Sequence, residues 1–266
     1  MDINVIRAFA LTTAAGLSTG IGSLIALLAK KTNTKFLSIS LGFSAGVMIY
    51  VSMIELFDQA SDLLQSVLGA KMGLTVTVLG FFGGMLLITI IDKLIPQESN
   101  PHEVKTMESG NRAWKDPKMM RTGVMTALAI AIHNFPEGIA AFVSAQREPT
   151  LAIPVVFAIA IHNIPEGIAV SVPIYYATGD RKKAFIYSFA SGLAEPVAAI
   201  LAYLILMPFM NDVVNGVLFA AVAGIMVFIS LDELLPSARE YGEHHLSIYG
   251  LVAGMAVMAV SLLLFV

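Results

Sequence analysis

Two similar hexapeptides hold the side chains best suited to chemistry. His-Asn-Phe-Pro-Glu-Gly begins at His133, and His-Asn-Ile-Pro-Glu-Gly begins at His162. Imidazole and carboxylate groups are common ligands of divalent metal ions, and both hexapeptides stand in sequence made mostly of Ala, Ile, Val and Phe. Because ionisable groups are costly in apolar surroundings, the repetition of this set predicts a cation site.

Spacing within each hexapeptide suits joint ligation. In a helix the His and the Glu, four residues apart, share one face, and the Asn lies within reach of the Glu. The residues concerned are His133, Asn134 and Glu137 in the first copy and His162, Asn163 and Glu166 in the second. For a single copy the alternative is a packed kink with a hydrogen-bonded carboxylic acid, and two copies favour ligation.

Composition indicates whether these motifs lie in a soluble protein or in a membrane. Hydrophobic residues make up 57% of the 266 residues and charged residues 13%, against about 45–50% and about 25% in soluble domains. The chain is therefore predicted to be a membrane protein. A net charge of -3 without a basic run excludes a nucleic-acid partner, and the absence of Cys excludes disulfides and thiolate metal sites. The N-terminus lacks the features of a cleaved signal peptide, so the first apolar stretch is expected to be a retained span.

Eight stretches have the roughly 20 apolar residues that a membrane-spanning helix needs. They are Ala8 to Ala29, Phe36 to Phe57, Leu74 to Ile95, Gly123 to Ala145, Leu151 to Tyr176, Ala184 to Met207, Val213 to Leu235 and Leu246 to Val266. This pattern predicts an all-α, polytopic membrane protein with eight transmembrane helices in a single domain, 1–266. The one long connection, 96–120, is polar and too short for a second domain.

Positive charge predicts the orientation of these spans, because Lys and Arg accumulate in cytoplasmic loops. With eight spans, every Lys and Arg except Arg7, Lys71 and Arg147 falls on the same side as the loop 96–120. That side is therefore assigned to the cytoplasm, and both termini are expected outside.

Depth groups the ionisable residues that lie inside the spans. At 1.5 Å per residue, five of them lie about 18–28 Å from the flanking charges. They are His133, Glu137, His162, Glu166 and Glu195. Three helices would then converge on one layer near the middle of the membrane, although Glu195 taken alone could equally be structural. No Lys or Arg is predicted at this depth, so either the acids are protonated or a cation from solution lies among them.

Proline and glycine in the hexapeptides bear on the backbone. Pro136 and Pro165 each remove a helical hydrogen bond, and interrupted helices at mid-membrane are typical of transporters. We therefore expect broken helices that line a cavity. Gly138 and Gly167 leave room for another helix or for the ion.

Four further acids lie at other depths. Glu55 falls near the outer end of the second span, whereas Asp92, Asp232 and Glu233 fall near inner ends. They suggest an outer and an inner position on an ion pathway. Each could equally be a solvated interfacial carboxylate.

With these residues in view, the chain resembles the ZIP family of divalent-metal transporters, and within it the bacterial zinc-uptake branch. The resemblance covers all eight spans and rests on the paired His-Asn-x-Pro-Glu-Gly motifs and on the Ser-Gly-Leu-Ala-Glu-Pro element that begins at Ser191. It implies a location in the cell membrane, a binuclear metal centre, and compatibility with a homodimer. The residues implied as metal ligands are His133, Asn134, Glu137, His162, Asn163, Glu166 and Glu195.

The function predicted from these observations is transport of Zn2+, with Fe2+ and Mn2+ as further candidates, into the cytoplasm. The metal would be cargo, and no catalytic residue or cofactor is expected. One alternative is an intramembrane zinc metalloprotease, whose usual motif is His-Glu-x-x-His. A proton-coupled carrier of organic cations is another, and it would bind no metal.

Overall fold

The computed structural model describes residues 3–28, 34–94, 117–147, 149–241 and 244–265, and the regular structure within them is helical. The α-helices are α1 (Ile3–Leu28), α2 (Thr34–Tyr50), α3 (Phe57–Leu68), α4 (Ala70–Leu94), α5 (Pro117–Arg147), α6 (Pro149–Thr178), α7 (Arg181–Gly192), α8 (Ala194–Leu201), α9 (Asp212–Ile229), α10 (Leu235–Tyr241) and α11 (His244–Phe265). Shorter helical segments join some of them. These are the π-helical segments Val51–Leu56, Ala202–Leu206 and Ser230–Leu234 and the 3-10 turn Met207–Phe209.

Within the described residues, seven helical stretches are long and apolar enough to cross a membrane. They are Ile3–Leu28, Lys35–Leu68, Ala70–Lys93, Val155–Val172, Arg181–Phe209, Asp212–Arg239 and His245–Leu263. The prediction of an all-helical polytopic membrane protein is thereby confirmed.

The predicted and observed spans differ most at the second and the fourth. The second predicted span ended at Phe57, whereas the helical stretch continues to Leu68. The fourth predicted span lies inside α5, a helix of 31 residues that is not among the seven. Of the predicted loop 96–120, residues 117–120 begin α5, and the remainder lies outside the described residues.

The helices form two packed groups. In the first helix group, α1 packs along α6, and α5, α7 and α8 complete the bundle. In the second helix group, α2 packs along α11, α4 packs along α9, and α3 contacts both α4 and α9. The groups meet where α2 contacts α6 and where α5 contacts α9. Both hexapeptides therefore lie in the first helix group.

Backbone contact holds α1 against α6. A Cβ atom added at Gly22 would lie 1.8 Å from the carbonyl oxygen of Ile164, and one added at Gly167 would lie 1.9 Å from that of Thr19. Because lipid tails remove the hydrophobic drive for helix association, such close packing is a main source of stability between spans. The glycines thus fix the α6 hexapeptide against α1.

The expected interruption at the prolines is wrong. Helix α5 continues through Pro136, and α6 continues through Pro165. A proline removes one helical hydrogen bond, and in membrane helices neighbouring polar groups can satisfy the freed carbonyl. Irregular backbone lies instead at Leu193, where α7 passes into α8, and in the π-helical segments.

Candidate metal centre

All seven predicted ligand residues are buried in the first helix group, and none exposes more than 3% of its surface. Helix α5 supplies His133, Asn134 and Glu137, α6 supplies His162, Asn163 and Glu166, and α8 supplies Glu195. The predicted convergence of three helices is therefore observed. Gly138 permits it, because a Cβ at that position would lie 2.5 Å from the Cα of Glu195.

Glu137 lies between the two imidazoles. Its Oε1 is 3.3 Å from Nε2 of His133, and its Oε2 is 3.0 Å from Nε2 of His162. The first contact follows from the i, i+4 spacing on α5, and the second crosses to α6. One carboxylate therefore joins the two copies of the motif.

Glu166 completes the approach from α6. Its Oε1 lies 3.0 Å from Nε2 of His133. One ligand atom from each of His133, His162 and Glu166 lies within 4.8 Å of the other two, and all three residues are buried. Imidazole nitrogen and carboxylate oxygen at such separations can share one divalent cation after a small adjustment, because metal–ligand bonds of about 2 Å place the ligand atoms about 3–4 Å apart around the ion.

Several oxygens in the cluster have no hydrogen-bond partner within the described part of the chain. They are Oδ1 of Asn134, Oδ1 of Asn163, Oε2 of Glu166 and Oε2 of Glu195. Each is an electron-pair donor, and leaving a buried donor or acceptor unsatisfied costs about 1–3 kcal/mol, or more for a charged group. A bound cation would satisfy several of these oxygens at once.

Backbone carbonyls orient the two asparagines. The Nδ2 of Asn163 donates to the carbonyl of Ala15 at 3.0 Å and also to the Glu195 carboxylate. The Nδ2 of Asn134 donates to the carbonyl of Ser191 at 3.3 Å. Since an amide has one donor end and one acceptor end, these contacts leave each Oδ1 available as a ligand.

Sequence reasoning missed these supporting groups. Ser44 donates to the carbonyl of His162 at 3.4 Å, and Ser188 donates to the carbonyl of Gly167 at 3.0 Å. The carbonyls of Ala15 and Ser191 leave no signal in sequence. The one sequence signal for such supporting groups is the presence of serines at helical spacing inside apolar spans.

The four outlying acids are not part of the buried cluster. Glu55 is half-buried in the π-helical segment Val51–Leu56 and accepts a hydrogen bond from Gln59. Asp92 is half-buried near the end of α4. In the π-helical segment Ser230–Leu234, Asp232 is exposed, while Glu233 is half-buried.

These features define a class: a polytopic membrane protein with a buried His/Asn/Glu cluster that can hold a divalent cation between its helices. The model of the family described as "ZIP Zinc transporter" matches residues 92–262. The chain belongs to this family.

Full-length relatives agree with that assignment. The chain is 65% identical over 266 residues to the zinc transporter ZupT of Streptococcus mutans, with both chains fully covered. It is 62% identical over 277 residues to the ZupT of Clostridium perfringens, covering 99% of this chain and 97% of the relative. It is 64% identical over 264 residues to the ZupT of Oceanobacillus iheyensis, covering 98% of each.

Membership in this family confirms the resemblance drawn from the paired motifs. It also confirms the prediction of a transporter rather than an enzyme, located in the cell membrane as a multi-pass protein. The alternative of an intramembrane metalloprotease receives no support.

Proposed function

We propose that the chain carries Zn2+ across the membrane into the cytoplasm, with Fe2+ and Mn2+ as further substrates. The observation that carries the proposal is the buried cluster itself, in which imidazoles, amides and carboxylates from three helices converge. The full-length relatives named as zinc transporters support zinc as the cargo. Nitrogen and oxygen donors without thiolate also suit borderline divalent ions.

Each residue of the cluster has a role in this proposal. Glu137 and Glu166 bind one ion together with His133 and His162, and the Nε2 atoms that contact these carboxylates would be the ligand atoms of the imidazoles. The second ion expected from the family resemblance would take the oxygens of Asn134, Asn163 and Glu195. Support for these donors comes from the amide contacts that leave each Oδ1 available.

The outlying acids mark a pathway through the molecule. Glu55 receives the ion on the outer side, and Asp92, Asp232 and Glu233 receive it on the inner side. Two π-helical segments carry three of these acids, and such segments occur frequently at functional sites.

Reconstituted protein provides the test of transport. Proteoliposomes loaded with a zinc-sensitive dye are expected to take up Zn2+ faster than protein-free liposomes, and added Fe2+ or Mn2+ should compete. Lowering the external pH from about 7 to about 5 should slow uptake, because protons compete for imidazole and carboxylate ligands. Uptake equal to that of protein-free liposomes would refute transport, and faster uptake at the lower pH would refute proton competition.

Eight spans with both termini outside remain part of the proposal. The continuous helix α5, which contains the predicted fourth span, supports the eighth crossing. Alkaline phosphatase fused after Val266 is expected to be active, and green fluorescent protein at that position should be dark. The same reporters inserted in the loop 96–120 should give the reverse pattern. A fluorescent fusion at the C-terminus would place that terminus in the cytoplasm and refute the proposed topology.

A homodimer is the proposed oligomeric state. Helices α4 and α11 are the least buried of the seven spans, with 22% and 28% of their apolar windows buried. They therefore offer apolar surface both to lipid and to a second copy of the chain.

A further inference from the structure

A deep apolar groove lies outside the metal cluster, between the two helix groups. Its volume is about 710 Å3, within the roughly 300–1,000 Å3 of sites that hold small ligands. The first helix group lines it with residues of α5, α7 and α8, and the second with residues of α4 and α9. All the lining residues are apolar. In a membrane protein, the ligand that matches such a lining is a hydrocarbon chain.

A lysine lies beyond one end of the groove. On α7, Lys183 stands seven residues before the lining residue Ala190, so the two share a helix face and lie about 10 Å apart along the axis. Beyond the irregular turn at Leu193, the groove continues to the lining residue Val197 on α8. A lysine followed by an apolar groove has the polarity of a single phospholipid, from headgroup to acyl chain.

Exposed charge at this end favours an anion. Lys182 and Lys183 are exposed, whereas the Asp180 carboxylate already accepts hydrogen bonds from their backbone N–H groups. On the facing helix α4, Lys93 is exposed and Asp92 is half-buried. Ammonium groups beside an acyl-chain groove form a binding position for a phosphate ester, since basic residues at the membrane surface attract anionic lipids.

The groove also adjoins the metal cluster. Phe135 and Pro136, which line it, stand between the ligand residues Asn134 and Glu137 on α5. From these observations we propose that one anionic phospholipid occupies the groove between the two helix groups, with its phosphate at Lys183 and an acyl chain against Phe135 and Pro136. The lipid acts as a structural ligand that fills the seam beside the metal-binding helix. This inference does not depend on which ion is carried.

Native mass spectrometry of the full chain in mild detergent tests the proposal, with phosphatidylglycerol and phosphatidylcholine of identical acyl chains as probes. Wild-type protein is expected to retain one phosphatidylglycerol per chain through delipidation. Val197→Phe should abolish this retention by filling the groove. The matched control is Val257→Phe, because Val257 is an exposed span residue of α11 outside the groove lining, and it should retain the lipid.

The headgroup position is tested separately. Lys183→Gln is expected to lower affinity for phosphatidylglycerol about fivefold and to leave phosphatidylcholine unchanged. Lys71→Gln, at an exposed site near the opposite end of α4, should have no effect. If Val197→Phe retains phosphatidylglycerol as well as wild type, the lipid does not bind in the groove. If Val257→Phe loses the lipid to the same extent as Val197→Phe, the retained lipid is only annular. An unchanged preference in Lys183→Gln would overturn the headgroup assignment, and this exposed substitution tests it even if Val197→Phe fails to fold.

Discussion

Zinc uptake is expected to fall by at least about 100-fold when Glu137 is replaced by Gln, because changes to outer-shell partners of metal ligands already cost about 10- to 100-fold. Glu137 is the carboxylate that contacts both imidazoles, at 3.3 Å and 3.0 Å. Gln has the same shape but no charge, and its amide nitrogen cannot serve as a ligand. Uptake into proteoliposomes and the zinc content per purified chain measure the effect.

Asp62→Asn provides the matched control, since it also replaces one carboxylate by an amide, at an exposed position on α3. This variant should transport zinc at the wild-type rate. Both variants should insert in the membrane and elute as wild type in size-exclusion chromatography. Normal zinc uptake by Glu137→Gln would show that this cluster is not required for transport in this chain.

Replacing Gly22 by Ala is expected to destabilise the protein by about 3 kcal/mol or more, since extra methyl groups in packed interiors cost about 1–3 kcal/mol even where the backbone can adjust. Here the added Cβ would lie 1.8 Å from the backbone oxygen of Ile164, so α1 and α6 would have to separate. Thermal unfolding in detergent, followed by loss of monodisperse protein, measures the change.

Gly83→Ala is the control for this substitution. A Cβ added at Gly83 meets no described atom within 4 Å. Because Ala is favoured over Gly in helices by about 1 kcal/mol, this variant should be as stable as wild type or slightly more stable. Equal melting temperatures for the two alanine variants would show that α1 and α6 tolerate separation at this point.

The composition of the cluster could be predicted from sequence because the lipid environment makes each buried ionisable residue conspicuous. The repeated His-Asn-x-Pro-Glu-Gly motif, together with a count of 1.5 Å per residue, grouped His133 and Glu137 with His162 and Glu166. Glu195 was harder to assign, because it does not belong to the repeated motif and no second copy supports a role as a ligand. Its contact with Asn163 and the close approach of Gly138 arise only in the folded bundle.

Supporting contacts could not be predicted, because they depend on backbone atoms from distant parts of the chain. The carbonyl of Ala15 orients an amide on α6, which lies 148 residues away. Hydrophobic periodicity does not reveal the π-helical segments either, since the sequences of Val51–Leu56 and Ser230–Leu234 are equally compatible with ordinary α-helix. The interruption predicted at the prolines was wrong for a related reason. The sequence of one helix does not show whether contacts with neighbouring helices will keep its backbone helical.

The contact of α1 with α6 limits how the ion can be released. Two reciprocal backbone contacts, at Gly22 and at Gly167, together with the hydrogen bond from Asn163 to Ala15, tie α1 to α6. We therefore expect His162 and Glu166 to keep their positions relative to α1 with and without a cation. The shape of the site must then change through motion of other helices, and the seam between the two helix groups offers the nearest such freedom. Gating in this protein is expected to be a relative displacement of preformed bodies, with the donor atoms of α6 carried along unchanged.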